Sequence, residues 1–404
     1  MRFIYKSTFV ITMTLFSNSL FASDVQQNEA NKDIEGAYVE EVVEKVGKRY
    51  TYQSQLLGEQ RELLIHLPKN YRQDEGQYPV LYLLDGASHF THAVLATEIL
   101  HQSGKIPKTI IVAIPNNPGT RVRDAGKESN NFLTHIKREV IPYVDAEYRT
   151  SGQNILFGHS AMGRVTLLAF AKHTNMFDQY IAASPAVEHS SSELFNQLKL
   201  ILTKQKLIDK SIYFSVGEKA REVAGFTDGA IYLSRLFREN APKALSWHYE
   251  FMSEQNHSTT PYLTMFLGLG KIFNDYEAPA FNSFKGFKES GGMQELTDFF
   301  AKRGNKYQIS KAVPQNKIVS LAFAFMDEGN FEQAIALLKQ NSEKYDDQMQ
   351  IYRALGEVYS QKKDKPQAIK AFEQALALAE AKKTVPGWSN YFREMISQLK
   401  LQKE

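Results

Sequence analysis

A series of short apolar runs, separated by stretches with helical spacing, constrains this chain more than any other feature. The runs are Val80–Leu84 (VLYLL), Thr109–Ile114 (TIIVAI), Asn154–Phe157 (NILF), Tyr180–Ala183 (YIAA) and Ser211–Val216 (SIYFSV). VLYLL and TIIVAI show no apolar–polar alternation, so a strand made from either is buried on both faces. Glu62–Leu67 and Leu245–Met252 flank the series as further strands. Between the runs, Phe132, Ile136, Val140 and Tyr143 recur at helical spacing, Gly163–Lys172 reads as a helix, and Thr260–Phe273 as a terminal amphipathic one. Strands alternating with helices imply an α/β fold over residues 38–277, with a mostly parallel central sheet covered on both sides.

The pattern then changes. Residues 278–312 are rich in Gly, Ser and aromatics and read as a linker, and residues 313–404 are helical throughout. Leu321, Phe325, Ala334 and Leu338 match Leu355, Tyr359, Ala368 and Phe372, each pair 34 positions apart, which is the tetratricopeptide period. Gly356 and Ala375 fall where paired helices approach closely, and Trp388–Lys400 supplies a final helix. Two repeats are fewer than a solenoid needs to stand alone, so this small all-α domain is expected to pack on the α/β domain. It offers a groove for a peptide or protein partner.

At the other end, Arg2 and Lys6 precede the apolar stretch Phe9–Phe16, and Leu20-Phe21-Ala22 suits cleavage after Ala22. Residues 1–22 therefore read as a signal peptide and residues 23–37 as a flexible leader. No other long apolar run follows, so no transmembrane anchor is expected after cleavage and the protein is placed in the periplasm or outside the cell. Lys plus Arg number 48 against 45 Asp plus Glu, a formal charge of +3. That balance gives no excess with which to neutralise nucleic-acid phosphates. The chain has no Cys, which removes disulfides, thiolate metal sites and a cysteine nucleophile.

Chemistry concentrates in Asn154–Gly163 (NILFGHSAMG). An apolar strand, Gly158, Ser160 and a following helix make the strand–turn–helix context of a nucleophile elbow. The backbone N–H of Ala161 then faces an oxyanion at the start of a helix whose dipole favours negative charge. The second Gly of the usual pattern is displaced: Met162 occupies its place and Gly163 follows. A base should come after the last strand. His248 lies inside a strand, whereas His257 sits in the polar loop Ser253–Pro261 just beyond it. For the acid, Glu218 and Glu222 follow the SIYFSV strand, with Glu218 slightly preferred and Glu254 a third candidate. The Gly86-Ala87 step at the end of LYLLDG supplies a second oxyanion donor from Gly86 or Ala87, with His89 and Phe90 at the entrance. His89 and His92 lie three apart near Asp85 but lack a third spaced ligand, so no metal site is assigned. The chemistry calls for no cofactor.

From Tyr78 to Tyr276 the chain resembles the esterase family of α/β-hydrolases that includes enterochelin-type siderophore esterases, S-formylglutathione hydrolase, feruloyl esterases and mycolyltransferases. The matching segments are Tyr78–Gly86, Thr109–Asn116, Arg121-Val122-Arg123-Asp124, Glu139–Thr150, Phe157–Gly163, Ser184-Pro185 and Asn256-His257-Ser258, in family order. The resemblance implies Ser160 as nucleophile and His257 as base. Met162, a shortened stretch after Asp124, and Pro185-Ala186-Val187 in place of bulky aromatics depart from it. The expectation is an exported serine hydrolase that cleaves a small-molecule carboxylic ester through an acyl-enzyme. The alternatives are an acyltransferase using the same residues, or a degenerate hydrolase fold that works as an interaction module through its helical repeats.

Overall fold

The computed structural model describes residues 45–401 apart from 74, 189–191, 205–206, 208–209, 345–347 and 382–385. The expected signal peptide and leader lie outside the described residues. Eight strands, β1 (Lys48–Gln53), β2 (Gln60–His66), β3 (Tyr78–Leu84), β4 (Ile110–Ile114), β5 (Thr150–His159), β6 (Gln179–Ala183), β7 (Ser211–Gly217) and β8 (Ser246–Met252), form one sheet in the order β1-β2-β4-β3-β5-β6-β7-β8. β2 runs antiparallel to both its neighbours, and all pairs from β4 to β8 are parallel.

Every residue of β3, β4, β6 and β7 is buried, as continuous apolar runs require. The two-residue period of the strands divides their side chains between two cores. Val80, Tyr82 and Leu84 join Ile110, Val112, Leu156, Tyr180 and Phe214 on one face, beneath Phe132, Val165, Phe170, Leu233 and Phe237 from its covering helices. Leu81 and Leu83 join Ile111, Phe157, Ile181 and Tyr213 on the other, beneath Phe90, Val94, Met265 and Leu269.

Three segments differ from the sequence expectations. β1, whose sequence KRYTYQ is polar and whose residues are largely exposed, extends the sheet at its edge. The Gly86-Ala87 step, expected as a loop, opens the helix Gly86–Gln102. Residues 278–312, expected as a linker, carry the helices Phe284–Glu289 and Gly292–Tyr307. The second of these docks on the α/β region: the Tyr307 hydroxyl donates to Asp275 at 2.6 Å, and the Arg303 guanidinium lies 4.7 Å from the Tyr276 ring centre.

Beyond it, Gln315–Asp327, Phe331–Asn341, Met349–Gln361, Lys365–Ala381 and Pro386–Leu401 are helices. All eight repeat-matched side chains are buried in their shared core. Gly356 sits so close to the Phe372 ring that a Cβ there would lie 2.7 Å from it, which explains a small residue at that crossing. Among the described residues no helix is long and apolar enough to cross a membrane.

Candidate active site

Parallel strands that each run directly into a helix bring helix N-termini to one edge of the sheet. β3 and β5 are neighbours; β3 passes through Asp85 into Gly86–Gln102, and β5 through Ser160 into Ala161–Lys172. The first N–H groups of a helix have no intrahelical acceptor, so the helices opening at Gly86 and Ala161 bring the positive ends of two dipoles to this edge. Gly86 is the residue this crossing requires, since a Cβ would lie 2.4 Å from the Ile114 nitrogen.

Ser160 has φ 58° and ψ −124°, a conformation strained for any residue with a Cβ. The surroundings hold it there: its N–H donates to the Ala183 carbonyl at 3.0 Å, and its own carbonyl accepts from Ala186 N–H at 2.9 Å. A Cβ on Gly158 would fall 2.2 Å from the Met162 carbonyl oxygen, so no larger residue fits the turn. Met162 points into the core and is fully buried, while Gly163 makes the close approach to the end of β6, where a Cβ would be 3.0 Å from the Ala183 oxygen. The displaced glycine of the sequence motif thus leaves the strained turn intact.

The loop after β8 carries His257 back over this edge. His257 Nδ1 lies 2.5 Å from Glu222 Oε1, and Glu222 is fully buried at its side chain. Ser184 Oγ donates to Glu222 Oε2 at 2.7 Å, and the N–H groups of Gly217 and Val223 add 3.2 and 2.9 Å contacts. Burial alone would raise the Glu222 pKa, but the hydrogen bonds from His257, Ser184 and Val223 outweigh it and bring the pKa down to about 2. The His257 ring contacts Phe226, at 5.6 Å between ring centres, and His159, at 4.5 Å. His159 Nε2 donates to the His257 carbonyl at 2.9 Å, so His257 is tied to the residue immediately before Ser160.

A cavity of about 470 Å³ adjoins these groups, lined by Ala87, Ser88, His89, Asn116, Arg121 and Tyr262 among others. Arg121 donates to both Asp85 oxygens, through Nε at 2.9 Å and Nη2 at 2.7 Å, and Asn116 also donates to Asp85. The Asp85 carboxylate is thereby committed to fixing the cavity wall. The rings of His89 and His92 meet edge to face at 5.2 Å. The arrangement offers a hydroxyl on a strained turn, an imidazole oriented by a buried carboxylate, and two helix N-termini at the same sheet edge.

Residues 54–262, just over half of the chain, match the family described as "Putative esterase". The chain belongs to this esterase family. Residues 316–381 match the tetratricopeptide repeat family. Among curated proteins, the uncharacterized protein YbbA of Bacillus subtilis is 22% identical over 236 residues, covering 47% of this chain and 92% of its own. An IroE-like serine hydrolase from Shewanella oneidensis shares the fold with a TM-score of 0.57 and 22% identity, over 79% of this chain and 99% of its own. The siderophore hydrolase EstB from Aspergillus nidulans matches with a TM-score of 0.51 and 19% identity, over 60% and 99% of the two chains.

In this esterase the sequence-derived residues are distributed as follows. Ser160, Ala161, Gly86, Ala87, Glu222 and His257 come together at one sheet edge. Glu218, the carboxylate preferred from sequence, does not join them: it is partly exposed and pairs with Arg221 at 3.2 Å. Glu254 is exposed, with its backbone at φ 66°. His248 lies within β8. Sequence reasoning missed His159 and Ser184. His159 was visible as the residue between Gly158 and Ser160, and Ser184 as the residue ending β6, but nothing local reveals their partners 98 and 38 positions away.

Proposed function

We propose that this esterase is an exported serine hydrolase working through an acyl-enzyme. The observation that carries the reading is the pairing of His257 with the buried Glu222 carboxylate, held against the turn bearing Ser160. Ser160 Oγ attacks the ester carbonyl while His257 takes its proton, and His257 returns that proton to the leaving alkoxide. Glu222 accepts the Nδ1–H of His257, fixing the tautomer that leaves Nε2 free as base and stabilising the imidazolium. The N–H groups of Ala161 and of Gly86 or Ala87 receive the oxyanion. Water activated by the same imidazole then releases the acid. Export rests on the charged and apolar pattern of residues 1–22.

The substrate is a small carboxylic ester that fits the adjoining cavity. The likeness to a siderophore hydrolase makes cyclic lactones, beside acyl esters of graded length, the substrates to screen first. Ser160→Ala is expected to lower turnover of a short-chain p-nitrophenyl ester at least 10³-fold with the melting temperature unchanged or raised. Full activity in that variant would exclude the mechanism.

A further inference from the structure

We propose that His159 is a positioning residue that sets the distance between the reacting hydroxyl and its base. The proposal rests on the roles given above to Ser160 and His257. Those two residues come from different parts of the sheet: Ser160 follows β5, and His257 follows β8, three strands further along. Adjacent strands lie about 4.8 Å apart, so β5 and β8 are about 14 Å apart at the sheet. The loop after β8 must reach back across that gap, and a loop is held in place only where something ties it down.

The His257 N–H donates to the Arg221 carbonyl at the long distance of 3.4 Å, and two shorter ties act on the same residue. Glu222 holds the ring through Nδ1, and this fixes its orientation. The hydrogen bond from His159 Nε2 holds the backbone, at 2.9 Å to the His257 carbonyl. Because His159 is the residue before Ser160, this second tie runs from the turn of the nucleophile to the main chain of the base. His159 also packs against the His257 ring, as does Phe226.

His159 is suited to this and to no proton transfer of its own. A donor to a carbonyl must keep its Nε2 proton, and this one is engaged. Burial, aided by the neighbouring His257, holds the His159 pKa down at about 4, so the strut is neutral and does not repel the imidazolium formed beside it during attack. His89 meets the same ring edge-on at 5.7 Å and links it to the helix that carries Ala87.

The test compares two replacements in two backgrounds, using a p-nitrophenyl ester and the full chain. His159→Phe keeps an aromatic ring but loses the donor, while His159→Gln retains an N–H at similar reach. His159→Phe should lower kcat ten- to a hundredfold, as misplacement by about an ångström does, with KM within twofold. His159→Gln should stay within threefold of the unmodified enzyme. In a His257→Ala background, His159→Phe should change the residual rate by less than twofold, since no base remains to be positioned. Equal loss from His159→Phe in both backgrounds, or no rescue by Gln, would overturn the strut while leaving the roles of Ser160 and His257 intact. A fully active His257→Ala enzyme would overturn the base itself, and the strut with it.

Discussion

Glu222→Gln is expected to lower kcat by about 10³–10⁴-fold while KM changes less than twofold. The substitution preserves shape, so the loss reports charge and hydrogen-bond polarity. Four donors converge on the carboxylate: His257, the Ser184 hydroxyl and the N–H groups of Gly217 and Val223. An amide places its own NH₂ against some of them. If it faces His257, the ring is driven into the tautomer whose Nε2 carries a proton and cannot act as base. If it faces Ser184 and Gly217, the imidazolium still loses its counter-charge. Glu218→Gln is the control and should stay within twofold, because that carboxylate pairs with Arg221 at the surface. Steady-state kinetics on both variants decide the assignment. More than a tenth of the activity in Glu222→Gln, or a large loss in Glu218→Gln, would contradict it.

A second large effect concerns acid. The imidazoles of His89, His92 and His159 all titrate well below the ordinary 6.5: burial lowers His89 to about 3, helped by His92, His159 and Arg121, and lowers His92 and His159 to about 4. His135, His173 and His248 shift in the same direction, again chiefly by burial. His89 Nδ1 and His92 Nε2 are buried without a hydrogen-bond partner, so neither has an acceptor to stabilise a proton. In the unfolded chain each imidazole binds its proton near pH 6.5, and in the folded one only near pH 3–4. Between those values the unfolded state holds more protons, so stability is complete above pH 6.5 and declines as the pH falls towards 4. The loss should amount to roughly 3–5 kcal/mol, less than the full sum of the shifts because His92 and His159 keep some contact with water. Melting temperatures at pH 7.5 and 4.5 should therefore differ by about five degrees. His89→Phe, which removes one buried imidazole, should flatten the dependence. A melting temperature constant over that range would show that the cluster is not held neutral.

Particular residues show why some of this was legible in the sequence. β3, β4 and β7 announced themselves because burial on both faces leaves no charged residue in the run, whereas β1 is an exposed edge strand whose KRYTYQ carries no such mark. The helix Gly86–Gln102 does bury His89, Phe90, Ala93, Val94, Thr97 and Leu100 at helical spacing, but the Gly-Ala step at its start drew the reading towards a loop. In 278–312 the left-handed glycines 291 and 292 separate two helices and broke up the periodicity. The 34-residue spacing of the tail survived translation intact because equivalent side chains fill equivalent positions in one core.

At the site, sequence order singled out Ser160 and His257 as candidates, since strand ends and loops have positions that can be counted. It could not separate Glu218 from Glu222. Both follow β7 within a few residues, and only the direction of the irregular turn between Gly217 and Phe226 decides which one is buried. Met162, which departs from the family motif, proved to be a core side chain, with the close backbone contact transferred to Gly163.

The central claim is that Ser160 is a nucleophile activated by His257. Its most direct test is covalent labelling of the full-length protein with a fluorophosphonate, followed by peptide mass analysis. The account predicts one label per chain, on Ser160, formed far more slowly when His257 is replaced by Ala. A folded protein that takes no label, or takes it on another residue, would contradict it.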